Sequence, residues 1–145
     1  MPHKTVREGT ILGLLAATVI WLWLVIVDAV VGEPFRTFTL LGDPVTFTIV
    51  HYALNVAYGV ALVAAIHGAA REPTLLIGVA FVSFIAEFGW VMIANLLSHV
   101  GLGQLAWLRI LVGSVIGVVT TWLYLARRHP LRQEFAAAEQ AEEDE

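Results

Sequence analysis

The sequence contains no cysteine, which excludes disulfides, thiolate metal sites, iron–sulfur clusters and thiol catalysis. Charge is also scarce: only 14% of the 145 residues are charged, against 59% hydrophobic, far from the mix of a water-soluble domain. The bases are too few and too scattered for a nucleic-acid surface. No complete catalytic or cofactor motif occurs. What remains is long apolar runs, which use up most of the chain and leave no room for a separate soluble domain.

Four such runs are expected to be membrane helices. The first covers 9–31, too long for the ~7–15 residue core of a cleavable signal, and no Ala-x-Ala site follows it, so it reads as a retained anchor. The second covers 44–70 and opens with Asp43-Pro44, a capping acid followed by proline where the missing N–H costs nothing. Glu72-Pro73 repeats that signal and opens the third, 74–98. Gly101-Leu102-Gly103 breaks the chain before the fourth, 104–126, which Arg127-Arg128-His129-Pro130 stops. Each run is long enough to cross a hydrocarbon core of ~30 Å. Lipid cannot satisfy open backbone groups, so the expected fold is all-α: an integral membrane four-helix bundle, up-and-down and antiparallel, in one domain.

The bases set an orientation. Along an alternating path Lys4, Arg7, Arg71, Arg127, Arg128 and Arg132 fall on one side and Arg36 on the other. Residues 1–8, the 71–73 connection and the 127–145 tail are therefore expected in the cytoplasm, and connections 32–43 and 99–103 outside. Phe35, Phe38, Leu40 and Leu41 in the first outer connection point to the headgroup region, with a partner surface as the rival reading. After Pro130 the tail holds six acids and reads as solvated.

Ionisable groups at membrane depth cost at least ~2.5–3.5 kcal/mol on insertion scales, so they need partners. His51, Asn55 and Tyr58 stand at i, i+4 and i+7 on the second helix. Ser83 and Glu87 share a face of the third with Trp90, and Arg109 enters the fourth from the outer side. An interhelical Glu87–Arg109 pair is geometrically reasonable. The candidate cluster is thus His51, Asn55, Tyr58, Glu87 and Arg109 in the outer half, a ligand- or proton-binding pocket with Asp28 and His99 at its mouth. The competing reading makes Glu87–Arg109 a structural ion pair, gives His51 and Asn55 ordinary interhelical hydrogen bonds, and leaves Asp28 and His99 in the wet interface. Gly9-x-x-x-Gly13 and Gly113-x-x-x-Gly117 allow close helix approach, either within the bundle, the preferred reading, or between copies.

No cofactor is expected. Haem or a divalent metal on His51, His99, Asp28 and Glu87, giving a redox protein, is the sharpest enzymatic alternative, but neither Glu-x-x-His nor His-Glu-x-x-His occurs. The functional expectation is a non-catalytic binding or structural subunit. Its alternative is proton- or cation-coupled transport of a small solute through Glu87 or His51. Partners are the lipid bilayer and either further copies or a larger membrane complex. Arg7-Glu8-Gly9-Thr10, Val27-Asp28, Leu40-Leu41-Gly42, His51-Tyr52 and Arg127-Arg128-His129-Pro130 resemble the pattern of uncharacterised small four-helix bacterial membrane proteins. That resemblance implies the topology and a bacterial cytoplasmic membrane, and no activity.

Overall fold

The computed structural model describes residues 2–40, 43–69 and 106–128, together with Gly78, Phe81, Ser83, Ile85, Met92 and Leu96. The described residues form no strand and four helices: α1 (Pro2–Val30), α2 (Arg36–Leu40), α3 (Pro44–Ala69) and α4 (Ala106–Arg128). The six isolated residues of the expected third span are each helical. Three segments, Lys4–Val30, Pro44–Gly68 and Trp107–Arg128, are long and apolar enough to cross a membrane. At ~1.5 Å per residue, even the shortest of the three long helices exceeds about 30 Å.

Each helix end has a local cause. At the end of α1, Gly32 takes a left-handed φ of 81° that a side chain would resist. Its N–H donates to Ala29 O and the next, from Glu33, to Asp28 O, at 3.1 and 3.0 Å, closing the last turn. A tight turn through Pro34 follows, in which Arg36 N–H donates to Glu33 O at 3.2 Å, and it launches α2. At the start of α3 the Asp43 carboxylate accepts from the Val45 and Thr46 amides at 2.9 and 3.0 Å, the capping that its position before Pro44 predicts. Hydrogen bonds from Thr46, side chain first and then backbone, hold the Asp43 carboxyl below its usual range.

Paired contacts give the helix directions. Thr5 meets His67, Ala17 meets His51 and Trp21 meets Thr48, so α3 runs antiparallel to α1. Trp23 meets Arg109 and Leu12 packs with Leu125, so α4 does too. Hence α1 is the central element.

In the N-terminal half of α1, glycine decides the fit. A β-carbon on Gly59 would stand 2.8 Å from the Gly13 nitrogen, and one on Gly9 2.7 Å from the Val60 nitrogen. The two backbones touch with no side chain between them, as a small-xxx-small seam permits. Leu12, Val63, Ile66 and Leu125 close this end, bordered by Leu62 and Tyr124. Opposite stripes stay uncovered. On α1, Ile11, Leu15, Leu22 and Ile26 are exposed, and Phe81, Ile85, Met92 and Leu96 repeat the same spacing in the third span. In water such stripes would be sticky patches; in lipid they are the natural outer face.

Two outcomes follow. Gly59→Ala is expected to lower stability by about 1–3 kcal/mol through overpacking, whereas Gly78→Ala, with open space around it, is expected to be neutral or better; denaturant titration in detergent compares them. Because the Asp43 carboxyl is lowered in the fold, its contribution is present above the carboxyl's unfolded-chain pKa. It fades as pH falls through the lower folded value, so Asp43→Ala is expected to flatten the acid side of the stability profile between them.

Candidate functional site

The C-terminal half of α1 meets α3 through polar groups, where the stretch around Gly9 and Gly13 meets it through glycine. His51 Nε2–H donates to the Ala17 carbonyl at 3.0 Å. Asn55 then turns back along its own helix, its amide donating to His51 O at 2.8 Å and lying 3.4 Å from His51 Nδ1. This arrangement selects the neutral Nε2–H tautomer and leaves neither ring nitrogen without a neighbour. One turn outward the Trp21 indole donates to Thr48 Oγ1 at 3.0 Å, and Thr48 donates to Pro44 O at 2.6 Å. Thr18 and Tyr52 hydroxyls lie 3.0 Å apart across the same seam. Every one of these groups is occupied within the chain, which is what an apolar surrounding demands.

Asp28 is not beside His51. Its carboxylate, with the residue 1% exposed, accepts from the Thr37 amide at 2.8 Å and the Thr37 hydroxyl at 2.7 Å. The last turn of α1 thereby holds the first turn of α2, whose amides have no partner in their own helix. So fastened, α2 presses Phe38 fully into the seam. Its ring lies edge-on to Trp21 at 5.6 Å and to Phe47 at 4.9 Å, and Phe47 stacks on His51 at 5.4 Å. Asp28 and His51 are therefore linked through Thr37, Phe38 and Phe47, and Phe38 covers the α2 end of the seam between α1 and α3.

The remaining candidates divide. Tyr58 leaves the His51–Asn55 pair and its hydroxyl lies 2.8 Å from Ser83 Oγ, joining α3 to the third span. Arg109 has a half-buried residue surface, and its carbonyl accepts the Trp23 indole N–H at 2.9 Å. Gly113 makes room for that indole, since a β-carbon there would stand 3.1 Å from Trp23 Cδ1. Glu87 and His99, with Trp90 and Asn95, lie outside the described residues, as do the 71–73 and 99–103 connections and the tail from 129. Among the described residues no group of three His, Asp or Glu converges as a metal would need. The Tyr124 hydroxyl is buried without a hydrogen-bond partner among them, beneath the Arg128 guanidinium 5.7 Å from its ring centroid.

Sequence reasoning missed Thr37, Phe38, Thr48, Trp21 and Trp23 as parts of these contacts. Gly32 followed by Pro34 was the available sign that the connection turns back. The Ala17 and Arg109 carbonyls have no sign at all, because any residue supplies them.

Asp28→Ala strands a buried amide and hydroxyl and is expected to cost about 1–3 kcal/mol; Thr37→Val, which keeps the amide, should cost less by thermal unfolding in detergent. Trp23→Phe is expected to cost about 1 kcal/mol, the usual scale of one interhelical bond in a membrane. Comparison of the chain with protein-family models, curated proteins and solved structures finds no match.

Proposed function

We propose that the chain is an integral membrane protein of the bacterial cytoplasmic membrane, an up-and-down four-helix bundle with both termini cytoplasmic, acting as a non-catalytic binding or structural subunit. Three helices of spanning length and the one-sided distribution of bases support the membrane part. The observation that carries the subunit reading is the state of His51: its nitrogens are taken up by Ala17 and Asn55, and its face is covered by Phe47. A half-buried side chain with a neighbour at each ring nitrogen serves helix register rather than a substrate. The binding half of the proposal belongs to the other flank of α3, a polar pocket of Tyr58, Glu87 and Arg109 opening outward. Coupled transport is the second reading. It is favoured by the Tyr58–Ser83 contact, since Glu87 stands four residues after Ser83 in the sequence, a spacing that a helix would put on one face.

Native mass spectrometry of the gently extracted protein tests the first reading, with the expected outcome of the chain carrying lipid alone and no other bound mass. A specific non-lipid mass that disappears in His51→Ala would overturn it in favour of a cofactor site. Glu87→Gln and Arg109→Leu test the pair: if structural, each is expected to cost about 3 kcal/mol or more, and the double change to recover most of that loss. Preserved folding in Glu87→Gln with loss of proton-driven uptake in proteoliposomes would move the assignment to transport.

A further inference from the structure

Phe35 has the least comfortable backbone in the described chain: it is the one described non-glycine residue with a positive φ, 64°. It follows Pro34 at the position of the turn where glycine enters freely and a bulky residue is strained. The strain is not repaid by full burial. Although the ring meets Phe38 edge-on at 5.7 Å, Phe35 remains 41% exposed. Beside it Val30 and Val31 are 82% and 49% exposed, and the Glu33–Arg36 ion pair stands half exposed. This mixed tip is held rigidly, by the Gly32 helix end on one side and the Asp28–Thr37 bonds on the other.

Its depth follows from α1. The rise from Arg7, a base at the inner end, to Val30 is about 35 Å at ~1.5 Å per residue. A bilayer has a hydrocarbon core of ~30 Å and a total of about 40–45 Å with its headgroups. An Arg7 at the inner boundary puts the tip a few ångströms beyond the outer edge of the core, among the headgroups. That layer takes aromatic rings and apolar side chains on its inward side and ion pairs on its outward side, the composition found here.

We propose that Val30, Val31 and Phe35 form an interfacial anchor whose partner is phospholipid, with the Phe35 ring at the boundary of acyl chains and headgroups in the outer leaflet. The anchor rests on the membrane reading above. It sets the depth of α1 and of α2 with it, and so the level at which Phe38 covers the seam.

The absence of native cysteine allows a clean test with single spin labels on the full chain in phosphatidylethanolamine–phosphatidylglycerol vesicles. Phe35→Cys, Glu33→Cys and the exposed α1 position Leu22→Cys are labelled, and collisions with oxygen and a water-soluble nickel chelate are compared. The expected oxygen-to-nickel ratio at residue 35 lies between the other two and several-fold above that of Glu33. A ratio equal to that of Glu33, or shielding from both reagents by protein, overturns the anchor. If Leu22 itself reads as aqueous, the membrane reading is what fails. Should Phe35→Cys not fold, Val31→Cys in the otherwise native chain carries the same expectation. Phe35→Gly relieves the backbone, so the thermal midpoint in detergent is expected to hold or rise while a label at residue 31 moves toward water. An unmoved label overturns the role of the ring.

Discussion

If the long apolar helices lie in lipid, as proposed, the structure depends on one constraint: a polar group on such a helix has no water to fall back on. The seam between α1 and α3 meets it in two ways along its length. Around Gly9, Gly13 and Gly59 polar side chains give way, and the helices gain attraction by bringing backbones together. Toward α2 Thr18, Trp21, Thr48, His51 and Tyr52 stand in the gap, and each is matched across it. Close approach and polar matching are alternatives at any one level, because the room a histidine needs is the room a glycine pair removes. The crossing of the two helices is therefore coupled to the polar pattern: opening at His51 requires closing at Gly59.

The α1–α4 contact solves the same problem differently. There a single bulky donor, Trp23, reaches the α4 backbone over a position emptied by Gly113. An indole N–H finds an acceptor, and the glycine supplies shape without any polar atom of its own. The acceptor is a main-chain carbonyl, so the arrangement constrains the residue at 113 far more than the one at 109.

Features that are local in the chain could be read before the structure. Asp43-Pro44 caps α3 because a capping acid acts within three residues, and the glycine spacings on α1 and α4 do face neighbouring helices. The long apolar helices were readable from length and composition alone. The site was less so. His51, Asn55 and Tyr58 share one face by spacing, yet Asn55 folds back on His51 and Tyr58 turns to Ser83. Spacing names the face of a helix and is silent about how many neighbours share it. Asp28 reads as an acid at a wet boundary because Gly32 and Pro34 mark a turn in the chain without naming Thr37 as the residue it brings back. Glu87, in the expected pocket, and His99, at its mouth, lie outside the described residues, so the pocket stands on its sequence argument.

The central place of α1 bears on assembly. For a chain threaded into a bilayer in the order of its synthesis, α1 arrives before α3 and α4 and must wait for them. Its load is light for that wait, since Thr18 satisfies itself on the Leu14 carbonyl and the Gly9–Gly13 face carries no polar side chain. The costlier passengers come later: when His51 enters, the Ala17 carbonyl that receives it is already in position. Chain order thus gives the most demanding side chain a host on arrival, and a circular permutation that inserted α3 ahead of α1 would remove that protection while leaving every final contact unchanged.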